Sequence, residues 1–451
     1  PNVLRQEGFK TTFVYSDGEL IAVEPGDTTQ KVYGVAVDIG TTTVAGYLYD
    51  LNTGKRLDVF SVLNPQRKYG ADVLSRIDHT TKSESGQKEM NDAIIGCINA
   101  MIRHFAERNS IKNTDIYAVV LAGNTVMMHL FLNLTAKNIA VSPFIPVTTH
   151  LCRFEAGEIG IDINSRGYVI TFPCISGYVG ADTVAAVLSS GMYEKDEISL
   201  LLDIGTNGEI VLGNSKWIYC CSTAAGPAFE GANIRNGIGG VAGAIDRVYF
   251  KPEFRYTTID NAKPVGICGS GLVDVVAGML DSDIIDETGR IVTDDEAESL
   301  PEDLKKRIKD IDGLRSFVLS DGAENASGMD IAITQKDIRE LQNAKAAIAA
   351  GINILIKHAG IRVEDIDKVY LAGGFGNYIS IESAVKIGLI PKVLKDKVES
   401  IGNAAGAGAV EGLLSTDMLR ATEMIKNKMK YNELSAIPEF VNEYVECMIF
   451  E

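Results

Sequence analysis

The stretch Val35-Ala-Val-Asp-Ile-Gly-Thr-Thr-Thr-Val-Ala-Gly-Tyr47 decides the fold, because its plan returns in Leu200-Leu-Leu-Asp-Ile-Gly-Thr-Asn-Gly-Glu-Ile-Val-Leu212. Each copy is an apolar strand that ends in Asp-Ile-Gly-Thr and leads into a second apolar strand. Asp38 and Asp203 stand 165 residues apart. A repeat at that spacing predicts two domains of related topology, not a short-period solenoid. The glycine permits a tight turn and a close approach of backbone to ligand. The threonines add hydroxyls and successive backbone N–H groups, an anion-binding concavity. A carboxylate at the strand end repels phosphate, but it suits Mg2+, which prefers oxygen ligands and retains water. Either loop alone is equally an ordinary β-hairpin. Two in this order predict a pair of loops that clamp an oligophosphate and its Mg2+.

A third motif supports that reading. Val369-Tyr-Leu-Ala-Gly-Gly-Phe-Gly-Asn377 is an apolar strand running into a double glycine, with a helix expected near Ile381–Gly388. Glycines there leave a flat backbone surface on which an adenine ring can lie.

Composition narrows the class. The 451 residues carry 43 Lys+Arg against 60 Asp+Glu, a net charge of −17, with 46% hydrophobic and 23% charged residues. The length fits about two to four domains, and the proportions are globular. An acidic chain lacks the clustered positive field of a nucleic-acid surface and the basic segment of a membrane anchor. The 7 cysteines form no C-x-x-C pair. Reduced thiols in a cytoplasmic protein are the simpler reading than a disulfide framework or a metal site. Ile116–Ala136 lacks Asp, Glu, Lys and Arg but changes character at Gly123-Asn124, so it reads as a buried strand, turn and helix. The first residue is Pro1, and no signal peptide follows it; a processed or truncated piece of something longer is expected.

Along the chain, residues 1–30 read as a hairpin turning at Asp17-Gly18. Strands are expected near 56–63, 116–122, 168–175, 208–213, 216–222 and 368–372. Helices are expected near 88–109, 124–133, 180–189, 270 onward and 335–359. Residues 281–330, dense in Asp and Glu, are expected to form an inserted, solvent-facing subdomain. Interleaved strands and helices give an α/β class.

The two Asp-Ile-Gly-Thr loops and the later Leu371-Ala-Gly-Gly374 resemble the phosphate 1, phosphate 2 and adenosine motifs of the acetate and sugar kinase/heat-shock chaperone/actin superfamily. Gly180–Ser189 and Asn403-Ala-Ala-Gly-Ala-Gly-Ala-Val-Glu-Gly412 occupy the places of its two connecting helices, whose small residues allow a close crossing. The resemblance spans roughly 33–435. It implies two ribonuclease H-like subdomains of the actin-like ATPase fold with an insertion, at 31–190 and 191–451. Four segments resemble more narrowly the C-terminal domain of reductive activators of corrinoid proteins. They are Gly34–Val44, Leu121-Ala-Gly-Asn-Thr-Val-Met-Met-His129, Ala225-Gly-Pro-Ala-Phe-Glu-Gly231 and Cys268-Gly-Ser-Gly-Leu-Val-Asp274. Such proteins use ATP to help drive an electron from a 2Fe–2S cluster to Co(II) of a corrinoid protein, restoring the Co(I) needed by methyltransferases. The cysteine cluster of their N-terminal domain has no counterpart here, and residues 1–30 would match only the end of their middle domain. The cluster is therefore expected in a missing N-terminal part.

The resemblance also assigns roles. Gly40, Thr41, Thr42 and Thr43 would bind phosphate, as would Gly205, Thr206 and Asn207. Asp38 and Asp203 would hold Mg2+, mostly through water. Glu230 would hydrogen-bond a ribose hydroxyl, Gly226 would belong to the same nucleotide site, and Gly373, Gly374 and Phe375 would border the adenosine. Asp182, opening the first connecting helix, would orient the attacking water; a carboxylate stabilised by the helix dipole is its plainer reading. Cys174, Cys220, Cys221, Cys268 and His129 read as core residues. Two alternatives stay open, a small-molecule kinase of the same superfamily and a nucleotide-dependent scaffold; an activator of acyl-CoA dehydratases is disfavoured, because no convincing cysteine pair here serves to hold its cluster. A homodimer also stays open.

Overall fold

The computed structural model describes residues 2–16 and 18–450, with the Asn377 side chain left aside. Asp17, half of the expected hairpin turn, lies outside the described residues. The chain forms two compact units. The first comprises Pro1–Tyr193 and Ala404–Tyr431, the second Glu194–Asn403 and Asn432–Glu451. The second unit is thus not continuous from 191 to the end.

The first unit opens with the antiparallel pair β1 (Thr11–Ser16) and β2 (Glu19–Pro25). Its main sheet takes β3 (Tyr33–Ile39), β4 (Thr43–Asp50), β5 (Lys55–Leu63), β6 (Ile116–Gly123), β7 (Cys152–Glu155) and β8 (Tyr168–Thr171). The order is β5-β4-β3-β6-β8-β7. β3 and β4 pair antiparallel, while β3, β6 and β8 run parallel. Val35, Ala36, Val37 and Ile39 are all fully buried, as expected of a strand covered on both faces. The helices are α1 (Val73–Lys82), α2 (Gly86–Asn109), α3 (Thr125–Phe131) and α4 (Ala181–Ser190). The Asn124 side chain accepts the Met127 N–H at 3.0 Å, which caps α3 and ends the apolar run of β6. No helix among the described residues is long and apolar enough to cross a membrane.

The second unit repeats the plan. Its core strands are β9 (Ser199–Ile204), β10 (Gly208–Gly213) and β11 (Ile218–Thr223). Then come β12 (Ala244–Tyr249), β13 (Arg255–Thr258), β14 (Gly266–Ile267), α5 (Gly269–Asp281), α6 (Asp294–Ala297) and α7 (Glu302–Lys305). They are followed by β15 (Ile308–Ile311), β16 (Leu314–Ser320), β17 (Ile331–Thr334) and α8 (Gln335–Ala359). The unit continues with β18 (Lys368–Ala372), α9 (Gly373–Tyr378), α10 (Ile381–Lys386) and β19 (Val398–Gly402). The order β11-β10-β9-β18-β19, antiparallel on one side of β9 and parallel on the other, matches β5-β4-β3-β6-β8. The repeat seen in the sequence is therefore a repeat of topology.

Three expectations change. β8 ends at Thr171, short of 175, and β11 starts at Ile218. A short helix starts on the double glycine itself, before the helix expected near 381. The stretch 281–330 is charged outside but apolar inside: Ile284, Ile291, Leu304, Phe317 and Leu319 join the core cluster of the second unit, beside Ile338 and Leu341 of α8. A short buried run, Ser316–Ser320, is hidden behind the high average charge of its surroundings.

The chain then returns to the first unit as α11 (Ala404–Leu414) and α12 (Thr416–Lys428), and α13 (Glu439–Glu446) packs on α8 in the second. α11 crosses α4 at backbone distance. A Cβ on Gly408 would stand 2.1 Å from the Ala185 carbonyl oxygen, and Ser189 Oγ donates to Ala404 O at 3.0 Å. Gly408→Ala therefore forces two backbones apart, and it should cost about 1–3 kcal/mol of stability. Gly96→Ala, at an exposed position of α2 with nothing within 4 Å, should instead gain about 0.5–1 kcal/mol. Urea unfolding of both variants checks the contrast.

Candidate nucleotide site

In the first unit the Gly40–Thr43 loop is held from behind. Asn64 Nδ2 donates to Gly40 O at 2.9 Å, Arg76 Nη2 to Thr41 O at 2.5 Å, and the Asn64 backbone N–H to Thr42 O at 2.9 Å. Asn64 and Arg76 are both buried, so three successive carbonyls point inward. In a trans peptide the carbonyl and the next N–H point in opposite directions. The N–H groups of Thr41, Thr42 and Thr43 are thereby aimed to the outer side, the arrangement of an anion nest. Gly40 is required by space: a Cβ there would stand 2.6 Å from Thr43 O. Asn124 Nδ2 donates to Thr41 Oγ1 at 2.9 Å. Gly180, the N-cap of α4, packs on Asn124 so tightly that a Cβ would come within 2.5 Å of its Cα. That contact links the loop to Asp182 in the first turn of α4. Asp38 sits at the end of β3, paired in register with Ala45 and Ala122.

Burial raises the Asp182 carboxyl to about 6, against which Thr183 acts by donating its N–H to Asp182 Oδ1 at 2.7 Å. A carboxyl tuned toward neutrality is suited to holding or moving a proton near pH 7.

The second unit gathers three separate sequence pieces. Asp203 is the penultimate residue of β9, and the turn after the strand closes through Gly205 N–H to Asn207 O at 2.9 Å. Space above Gly205 is open, so its lack of a side chain leaves room rather than relieving a clash. Thr206 Oγ1 donates to Glu230 Oε2 at 2.9 Å, bringing the Gly226–Glu230 segment to this loop. Phe229 and Phe375 pack with ring centroids 4.8 Å apart and planes tilted by 40°, which joins that segment to α9. Gly373 has φ +81°, and a Cβ there would stand 2.6 Å from Asp203 Oδ1. Gly374 is exposed with nothing within 4 Å of its Cβ direction, a bare face for a planar ring.

Two kinds of residue escaped the sequence reading. Asn64 and Arg76 carry the first loop, though nothing near them repeats. Glu209 lies directly across from Asp203 on β10, so the two carboxylates share one face of the sheet. The parity of a two-strand hairpin was the available signal. Among the described residues no three His, Cys, Asp or Glu side chains gather as metal ligands. A hard cation beside Asp203 and Glu209 would thus take its other oxygens from water and ligand, as Mg2+ does.

The readings of core residues hold. His129 is buried, bonded through Nδ1 to Thr125 O at 2.7 Å and through Nε2 to the Val147 N–H at 3.0 Å, and burial lowers its pKa. Cys220 and Cys221 are buried thiols pushed up by desolvation, and Cys174 is raised to about 12.

A family model described as the C-terminal domain of RACo, the ASKHA domain, matches residues 197–451, and one described as the RACo middle region matches 33–195. Over 448 residues the chain is 38% identical to the corrinoid activation enzyme RamQ of Eubacterium limosum, covering 98% of this chain and 75% of that protein. Over 427 residues it is 29% identical to a Co(II) methylated amine-specific corrinoid protein reductase of Methanosarcina barkeri, covering 92% of this chain and 76% of that one. A solved structure of a reductive activator for corrinoid, iron-sulfur protein superposes with a TM-score of 0.87 at 38% identity, covering 100% of this chain and 72% of that one.

The raised Asp182 pKa has a consequence for stability. The folded state favours the protonated carboxyl, so this contribution is present below about pH 4 and lost as pH rises through about 6. Asp182→Asn keeps the acceptor for Thr183 and removes the charge. It should stabilise the protein by about 1–3 kcal/mol at pH 7, with the gain shrinking toward pH 4. Denaturant unfolding across that range measures it.

Proposed function

The chain belongs to the family of reductive activators of corrinoid proteins and has its actin-like ATPase fold, and from that premise we propose that it binds and hydrolyses ATP to drive reduction of Co(II) to Co(I) in a corrinoid protein of a methyltransferase system. The observation that carries the nucleotide half of this reading is the Gly40–Thr43 loop, whose carbonyls are drawn inward by Asn64 and Arg76. Its outward N–H groups and threonine hydroxyls suit phosphate oxygens. Gly205, Thr206 and Asn207 offer a second phosphate loop on the other unit. Gly373, Gly374 and Phe375 offer the flat face for adenosine, and Glu230, tied to Thr206, lies beside them for the ribose.

Asp38 in the first unit, and Asp203 with Glu209 in the second, are the carboxylates suited to hold Mg2+ through water, and such an ion would neutralise charge on the phosphates. Asp182 would accept a hydrogen bond from the attacking water and orient it. Hydrolysis here is a matter of positioning and charge, with little covalent work for the protein. An iron–sulfur cluster does not fit the described residues, which bring no ligand set together. We place the 2Fe–2S electron carrier outside them. The buried thiols suit a reducing cytoplasm.

Cobalt reduction is coupled to nucleotide only if ATP and the Co(II) corrinoid protein favour related conformations of this chain, because a ligand shifts an equilibrium by its differential affinity alone. ATPase rate with and without Co(II) corrinoid protein is the direct test. Stimulation and a stable complex are expected; neither appearing would sink the reading. Asp203→Ala and Asp182→Asn should each lower hydrolysis by about 10²-fold or more. ATP affinity should change little in Asp182→Asn. A normal rate in Asp203→Ala would remove it from the metal site.

A further inference from the structure

Arg76 is the largest fully buried side chain among the described residues, at 0% exposure. Arginine is almost never fully buried unless paired. Yet this guanidinium makes no ion pair with a carboxylate among the described residues. Its bonds go to Gly70 O through Nε at 3.0 Å, to Thr41 O through Nη2 at 2.5 Å, and to Met127 Sδ through Nη1 at 3.2 Å. The charges that act on it from further off oppose each other, Arg67 against Asp72. Burial lowers its pKa only to about 10, so it remains a cation at neutral pH. An uncompensated cation is costly in a low-dielectric interior, and it is placed directly behind a loop whose N–H groups face outward.

We propose that Arg76 is a positioning residue whose buried charge is completed by the nucleotide's polyphosphate, acting through the Gly40–Thr43 loop that it holds. The inference rests on the phosphate-loop reading above. The missing carboxylate is then a functional feature: a local acid would satisfy the arginine and cancel the field that the phosphates meet. Met127 occupies the position where such an acid would stand, and it also lies 3.7 Å from Asn64 Nδ2. A thioether there fills the space and leaves the charge in place.

The test is calorimetric titration of the full chain with adenosine, ADP and ATP. Arg76→Gln should weaken ADP and ATP by about tenfold or more and leave adenosine within about twofold. Arg76→Lys, which keeps the charge, should recover ADP affinity to within about threefold. Met127→Glu supplies a carboxylate without touching Arg76; it should weaken ADP like Arg76→Gln while raising the melting temperature of the free protein. Equal weakening of adenosine and ADP by Arg76→Gln, or unchanged ADP affinity in Met127→Glu, would overturn the proposal. The second variant decides the matter if the first does not fold. Wild-type protein that binds ADP no tighter than adenosine would instead overturn the phosphate-loop reading itself, and this inference with it.

Discussion

What the first unit can present to a ligand depends on three carbonyl oxygens being turned away from it. Asn64 and Arg76 take the carbonyls of Gly40, Thr41 and Thr42 inward, and peptide planarity does the rest. The second unit uses the same tetrapeptide differently. Its loop closes on itself through Gly205 and Asn207 and is tied outside by Thr206 and Glu230, a solvent-exposed bond. Buried hydrogen bonds resist rearrangement more than exposed ones. One loop is therefore fixed by the interior and the other is adjustable at the surface.

Family motifs outside the two loops acquire physical reasons from these contacts. In Leu121-Ala-Gly-Asn-Thr-Val-Met-Met-His129, Asn124 holds Thr41 and caps α3, Met127 lines Arg76, and His129 ties the helix to Val147. In Ala225-Gly-Pro-Ala-Phe-Glu-Gly231, Phe229 anchors the segment on Phe375 while Glu230 reaches Thr206. Each motif pairs a residue that packs with one that positions. Small residues play the complementary part. Gly180 lets α4 begin against Asn124, and Gly408 lets α11 cross α4 at backbone distance.

The backbone plan was readable because Asp-Ile-Gly-Thr marks a strand end with chemistry that few other turns need. Both copies, the strand before Gly373 and the bounds of α8 followed from local pattern. Other features depend on partners far along the chain. Arg76 lies in a polar helix, and composition alone places such a side chain in water; its burial follows from the loop that needs it. The apolar half of 281–330 is masked by acidic neighbours, although Phe317, Val318 and Leu319 form a short run buried on both faces. Glu209 has no signal in its own surroundings; its significance comes from its register with Asp203.

The order of residues along the two units bears on how the protein is made. The first unit lacks α11 until the chain has passed through most of the second, since Ser189 waits for Ala404, a partner 215 residues later. The second is closed by a segment far along the chain: buried Lys345 donates to Ile449 O at 2.6 Å, across 104 residues. Neither unit can finish its core as it leaves the ribosome. Contacts of such long sequence separation are slow to form, and half-built cores expose apolar surface meanwhile. Both units thus complete their cores within the same stretch, from Ala404 to Ile449, so the two mature together.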